Sequence, residues 1–461
     1  MRPLSVVAAL VVVGSIAFAL RPSPRPPVPV NLLLVCIDTL RPDHTSAHGY
    51  ERKTTPNLDA LARTGVRFAD ATSHAPWTLP SVASLLTSQY PSQHGAAIGG
   101  ALRNLQNDIP TELGTTATLP SILRRHGRRA HAITANAFVG YGVDAQFDDF
   151  TYAHETAERV TTKALHFLRR HQDEPFFLYL HYTDPHEHHT LPPRRYRRRY
   201  VDGEVVDVMR EKKRSSYQFI HDNFGFALYD GQIEFVDAQI GRVLEKLDQL
   251  RLRQSTLVVV FSDHGEEFWE HEAEHRRYGT DPRGYYGIGH GQSLYQELLS
   301  VVLILAGGNL PEGIVVEGPV GLRDVPVTIL ELMNLPRGDE MKGTSLVPDI
   351  QAGRAREREV YSEAIAYGYE KKSLRRGHWK YIYSLPGESN ELYDLDTDPR
   401  ETRNVAGQHP DTTEAMRARV FEIMAENSDT KQTKTPSISE EMRRNLQALG
   451  YLTDSPRGLE P

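Results

Sequence analysis

Three kinds of residue carry the chemistry open to this sequence: a threonine at the start of an apolar helix, two aspartates after apolar runs, and several histidines. Thr78 lies in Ala75-Pro76-Trp77-Thr78-Leu79-Pro80-Ser81-Val82-Ala83-Ser84-Leu85-Leu86-Thr87, where the pattern predicts that a helix begins. A hydroxyl there sits among unpaired backbone N–H groups and at the positive end of the helix dipole, a favourable place for an anion. Taken alone, the segment reads more simply as a helix start, with Thr78 as N-cap and Ser81 in the first turn. The rest of the chain adds to it. Asp38 follows the apolar run Asn31–Ile37, and Asp263-His264-Gly265-Glu266 follows a second run at 255–262. Two carboxylates, one imidazole and a threonine oxygen make a mixed oxygen and nitrogen site for a divalent cation. A cation beside Thr78 would ease loss of the hydroxyl proton and make the oxygen a nucleophile. It would also offset charge developing on a phosphoryl or sulfuryl oxygen. His186, in Asp184-Pro185-His186, and His290, in Gly289-His290-Gly291, flank predicted strands. Protonated, they can contact anionic oxygens or donate to a leaving group. His188, His189, His271 and His275 read as surface histidines.

The elements that must position these groups alternate. Strands are predicted at Asn31–Ile37, 129–135, 175–181, 255–262 and 299–305. Helices are predicted at 55–65, 81–87, 119–126, 155–171, 229–250 and 325–333. Alternation of this kind builds an α/β fold with a doubly wound, mostly parallel sheet, whose ligands bind beyond the carboxyl ends of the strands. After about residue 348 the texture changes to short antiparallel strands and then a helix, a smaller C-terminal α+β subdomain. The expected organisation is a signal peptide or membrane anchor at 1–21, a proline-rich linker at 22–30 and a catalytic domain at 31–348. A subdomain at 349–425 and a tail with a short helix at 426–461 follow.

At 461 residues the chain is long enough for one large α/β domain and a smaller one. A net charge of −7, with no domain-wide basic excess, argues against a nucleic-acid partner. The local run Arg194-Arg195-Tyr196-Arg197-Arg198-Arg199 reads as a solvated face. Arg2 precedes an apolar stretch at 4–20, followed by Arg21 and a stiff proline-rich segment. Ala17-Phe18-Ala19 fits a signal-peptide cleavage site, and the stretch is also just long enough to remain as a single anchor. Either way the expectation is an exported, periplasmic or extracytoplasmic protein that meets a membrane only through this segment. Cys36 is the single cysteine, so no internal disulfide is available, and its apolar strand predicts a buried thiol.

Beyond the linker, the sequence resembles the sulfatase family of the alkaline phosphatase superfamily. The resemblance is carried by Ile37-Asp38-Thr39-Leu40-Arg41-Pro42-Asp43-His44, Thr54-Thr55-Pro56-Asn57-Leu58, Phe261-Ser262-Asp263-His264-Gly265-Glu266 and Gly289-His290-Gly291. Glu391-Leu392-Tyr393-Asp394-Leu395 extends it into the tail. It implies a metal held by Asp38, Asp263 and His264, with Thr78 as nucleophile and fourth ligand. It also places His186 and His290 against the anionic group of the substrate, with Asn136 on the same rim. Sulfatases carry Cys or Ser, then any residue, Pro, any residue and Arg, and the first residue becomes formylglycine. Here those positions are Thr78, Leu79, Pro80, Ser81 and Val82, so no formylglycine is expected. Threonine there resembles the phosphodiesterases and the phosphoglycerol and phosphoethanolamine transferases of the superfamily. The expected cofactor is one divalent metal ion, Mn²⁺ or Zn²⁺ ahead of Ca²⁺, with a second not excluded by the sequence. The expected function is a metal-dependent hydrolase of sulfate or phosphate esters that takes an anionic ester substrate. The alternatives are a cell-envelope transferase of the phosphoglycerol or phosphoethanolamine type and a non-catalytic binder.

Overall fold

The computed structural model describes residues 28–96, 113, 118–140, 142–152, 156–186, 192–200, 217–278, 286–385 and 389–427. The segment 1–21, most of the linker, the tail beyond Asn427, His188 and His189 lie outside the described residues.

Asn31–Ile37 (β1) is buried along its whole length because it runs between two parallel neighbours, Phe176–Tyr182 (β5) and Thr256–Phe261 (β6). Strands buried on both faces need no polar alternation, so their sequences are near-continuous apolar runs. The remaining strands of this sheet are Gly65–Thr72 (β2), Arg129–Thr134 (β3), Asp149–Tyr152 (β4), Ser300–Val301 (β9), Leu303–Ala306 (β10) and Ile314–Gly321 (β11). They stand in the order β11-β2-β10-β6-β1-β5-β3-β4, with β9 paired to β2. Within that order β10 runs antiparallel to both its neighbours, and the five strands β6, β1, β5, β3 and β4 form a parallel block.

Alternation along β1 sorts its side chains into two layers. Leu32, Leu34 and Cys36 join a core with residues of the helices Thr78–Thr87, Leu119–Arg125 and Val325–Leu332. Leu33, Val35 and Ile37 join a second core with residues of Pro56–Arg63, Ala157–Arg170 and Tyr217–Gln249. The result is helices on both faces of a mostly parallel sheet. The strand expected at 299–305 is corrected to two short strands. At Val302 the backbone N–H turns to the Ser262 side chain (2.8 Å), which breaks the ladder between β9 and β10.

A second sheet, Glu359–Ser362 (β12), Lys371–Arg376 (β13), Trp379–Ser384 (β14) and Ser389–Asp394 (β15), is an antiparallel meander. Met416, Val420 and Ile423 of the helix Pro410–Glu426 pack on its Leu374, Tyr381 and Leu392. Between the two sheets lies a buried ionic seam. The carboxylate of Glu401 is 2.8 Å from the Lys380 ammonium and accepts from the Gln296 N–H at 2.6 Å. His271 bonds Glu297 at 2.7 Å and the Glu401 carbonyl at 3.2 Å, and its ring stacks on Tyr295. Nearby, His275 lies against Glu267. The expectation that His271 and His275 are surface histidines is therefore corrected: both are buried, because the subdomain covers them.

Candidate active site

The parallel block delivers polar groups to one end of the sheet, each just beyond or at the end of a strand. Asp38 follows β1, Asp263 and His264 follow β6, Asn136 follows β3 and His181 sits near the end of β5. Thr78 arrives from the other direction, as the first residue of the helix Thr78–Thr87, whose N-cap Trp77 is extended. The Trp77 indole N–H donates to the Ala364 carbonyl (2.7 Å) and its ring meets Phe138 edge-on, which fixes the helix start between the subdomain side and the Asn136 turn.

These groups converge. The Thr78 hydroxyl oxygen is 3.3 Å from His264 Nε2 and accepts from Asn136 Nδ2 at 3.2 Å. His264 Nδ1 bonds the Gly265 carbonyl at 2.9 Å. A carbonyl only accepts, so Nδ1 carries the proton and Nε2 presents a lone pair. That lone pair faces Asp38 Oδ1 and Asp263 Oδ2, each at 3.5 Å. Neither carboxylate oxygen has a hydrogen-bond partner, although both residues are fully buried. Two anionic oxygens and a lone pair turned on one point are mutually repulsive unless a cation stands between them. A divalent ion with tetrahedral bonds of about 2.1 Å holds neighbouring ligand atoms about 3.4 Å apart, and the separations here are 3.3, 3.5 and 3.5 Å. The residues present therefore fit a metal ion. The electrostatics of the pair agree. Burial raises the Asp263 carboxyl and the nearby Asp38 charge raises it further. Burial acts on Asp38 too, but the hydrogen bond from His181 and the charge of His186 hold it below the ordinary carboxylate range.

The backbone pays attention to the same spot. Thr39 takes a positive φ of 57°, a conformation costly for a β-branched residue. It is held there by its N–H on Asp263 Oδ1 (3.3 Å) and by the Tyr229 hydroxyl on its carbonyl (2.5 Å). Gly265 has a different reason to be glycine: a Cβ there would lie 1.9 Å from the Glu297 carbonyl oxygen. Any side chain would push the loop bearing Asp263 and His264 off the strand end.

His290 reaches the site through a two-stranded ribbon, Glu267–Phe268 (β7) with Ile288–Gly289 (β8), which brings together segments distant in sequence. Its Nδ1 bonds Glu266 at 3.1 Å. The rings of His264, His290 and His186 follow one another at 4.5 and 4.9 Å between centroids. Exposure rises along that series from 0% to 6% to 9%, so His186 is the outermost of the three. The segment before His186 is pinned by Asp184, whose carboxylate accepts from the Ala157 N–H (2.8 Å) at the start of Ala157–Arg170.

A family model described as sulfatase matches residues 30–335, most of the chain and every residue of this site. The chain belongs to the sulfatase family. Among curated sulfatases it is 30% identical over 210 residues to human arylsulfatase K, a match spanning 43% of this chain and 36% of that one. It is 24% identical over 441 residues to choline-sulfatase of Rhizobium meliloti, covering 82% of each. A sulfatase of Formosa agariphila is 22% identical, with 82% of this chain and 83% of the relative covered. Among solved structures, a 2-O GAG sulfatase superposes with a TM-score of 0.66 at 20% identity, covering 88% of this chain and 95% of that one. A protein solved with D-glucosamine-2-N,6-O-disulfate superposes at 0.68 and 17% identity, covering 87% and 99%. Both share the alkaline phosphatase-like sulfatase fold seen here, with its mostly parallel central sheet and separate antiparallel sheet.

Val82, expected from the sequence at the position where sulfatases carry arginine, is a member of the apolar core. All the residues singled out from sequence, Asp38, Thr78, Asn136, His186, Asp263, His264 and His290, lie in or beside this one site. His181 escaped sequence reading because it sits inside an apolar strand with no motif around it. Glu266 was visible in Asp263-His264-Gly265-Glu266, but its bond to His290 depends on the β7–β8 ribbon. Among the described residues, no helix is long and apolar enough to cross a membrane.

Proposed function

We propose that this sulfatase-family protein is a metal-dependent hydrolase of sulfate or phosphate monoanions in ester linkage, with Thr78 as nucleophile. The observation that carries this reading is the pair of buried, unpartnered oxygens of Asp38 and Asp263 facing the His264 lone pair beside the Thr78 hydroxyl. Asp38, Asp263, His264 and Thr78 would hold the ion, which supplies charge neutralisation for a nucleophilic oxygen and for the attacked group. Thr78 Oγ1 forms a bond to sulfur or phosphorus as its proton passes to water, and the bond to the ester's leaving oxygen breaks. The departing oxygen takes up a proton, with His290 and His186 placed to supply it. Water then cleaves the threonine ester. Asn136 Nδ2, 3.2 Å from Thr78 Oγ1 and 2.6 Å from Asp38, fixes the direction of the nucleophile.

The names of the relatives support a sulfate ester, and threonine in place of the formylglycine precursor supports a phosphate ester as well. The charged flank and apolar stretch before residue 22 support export. The test is intact mass of the metal-analysed protein after brief incubation with an aryl sulfate and with an aryl phosphate diester. A sulfate adduct from the first or a substituted-phosphate adduct from the second is expected on Thr78. Turnover without any adduct, retained by Thr78→Ala, would remove Thr78 from the chemistry.

A further inference from the structure

Beneath the candidate metal position lies a second set of potential ligands. Cys36, His181 and Asp263 offer ligand atoms within 4.8 Å of one another, all buried. The register explains the grouping: Cys36 on β1 stands opposite His181 on β5, and Asp263 comes two residues after the Cys36 partner Phe261 on β6. Two assignments compete for these atoms, a second metal ion or a support for the first.

Hydrogen-bond accounting decides between them. His181 Nε2 is 3.1 Å from Asp38 Oδ2, and His181 Nδ1 is 2.8 Å from the Tyr179 hydroxyl. A carboxylate only accepts, so Nε2 carries the proton, and Nδ1 must then accept from Tyr179. Both ring nitrogens are thereby committed, with none left for an ion. With His181 committed, the fully buried Cys36 and Asp263 remain as only two of the three ligands of that set. Meanwhile Asp38 Oδ2 is saturated, by His181 and by Asn136 Nδ2 at 2.6 Å, and Oδ1 is left bare.

We propose that Tyr179 and His181 are positioning residues: one hydrogen-bonded chain, Tyr179 to His181 to Asp38, turns the aspartate so that Oδ1 faces the cation position. Metal ligands are commonly oriented by such outer partners, and loss of one weakens metal affinity by about ten- to a hundredfold. The inference rests on the metal reading above and names the residues that set its affinity.

The test is calorimetric titration of chelator-stripped full-length protein with Mn²⁺ and with Zn²⁺, with thermal melts of each metal-free variant alongside. The wild type is expected to take up one ion per chain. His181→Ala should weaken the dissociation constant about ten- to a hundredfold, with a larger effect on the metal-bound melt than on the metal-free one. His181→Gln, which keeps an N–H toward Asp38, should recover most of that loss. Tyr179→Phe removes a single hydroxyl and should give a smaller loss, so the chain remains testable even if His181→Ala folds poorly. Cys36→Ser should bind metal as the wild type does. Unchanged affinity in both His181→Ala and Tyr179→Phe would overturn the inference while leaving the metal site standing. Two ions in the wild type and one in Cys36→Ser would overturn it in favour of a second site. No ion bound by the wild type would overturn the metal reading itself, and this inference with it.

Discussion

The clusters of buried charge at opposite ends of the Asp263–Glu297 stretch are built on opposite principles. At the seam between the sheets Glu401 and Glu297 each face a counter-charge. Glu401 pairs with Lys380, and Glu297 pairs with His271. At the strand ends Asp38 and Asp263 face each other across a lone pair, each with an oxygen that nothing satisfies. Both arrangements are costly to bury, but only the first is closed. A closed cluster holds two parts of a chain in register, whereas an open one is complete only when something else arrives. Burial alone does not separate binding from structure; the presence of a counter-charge does.

The comparison can be broken most decisively at the open cluster. Thr78→Ala should lower turnover of aryl sulfate or aryl phosphate diester by about 10⁴-fold or more, above 5 kcal/mol of transition-state stabilisation. Steady-state assays of purified protein check this, and activity within tenfold of wild type would place the nucleophile elsewhere. At the closed cluster, Lys380→Met leaves Glu401 buried without its cation and should cost about 3–5 kcal/mol of stability. Denaturant unfolding reads that directly, and a loss below about 1 kcal/mol would mean the seam is wet and weakly coupled.

The seam also carries a pH signature. Burial lowers the His271 imidazole pKa, but the hydrogen bond and charge of Glu297 outweigh it and push the group up to about 9. A folded-state value above the unfolded value of about 6.5 stabilises fully below that pH and is lost as pH rises through the folded value. Stability should therefore fall between about pH 6.5 and 9, on the order of 2 kcal/mol, and His271→Gln should flatten the slope in melts across that window. The smallest expected effect has the opposite sign to Lys380→Met. In metal-free protein Asp263→Asn removes the carboxylate that burial and the Asp38 charge disfavour, and the amide oxygen can still accept from the Thr39 and His264 N–H groups. Stability should rise on the order of 1 kcal/mol, and added Mn²⁺ should no longer raise the melting temperature. A destabilised metal-free variant would show that the two carboxylates are not in conflict.

Much of this was legible in the sequence, for physical reasons that also mark the limits. β1, β5 and β6 announced themselves because a strand buried on both faces must be apolar throughout, and the aspartates stood where those runs stop. The convergence of Asp38, Thr78, Asp263 and His264 was likewise readable, since ligands collect at strand carboxyl ends. β2 and β11 were not, because each mixes apolar and polar residues and Gly65 looks like a helix stop. His181 was hidden by being polar inside an apolar strand. His271 and His275 were misread as surface because what buries them is a subdomain over a hundred residues further along the chain. Local pattern reports what an element is, and is silent on what later covers it.

The β7–β8 ribbon has a consequence for how this scaffold can change. Its two short strands are tied near their ends, by Glu266 to His290 and by Glu267 to Gln292. After β7 the chain enters the helix Glu272–Tyr278, and it rejoins the ribbon at β8, so the connection between that helix and β8 has both ends held. Lengthening a loop whose ends are already held adds only about 0.6 kcal/mol for each doubling. Insertions there can lengthen the connection while the atoms that do the chemistry stay where they are. The length of the connection is thereby uncoupled from conservation of what is done.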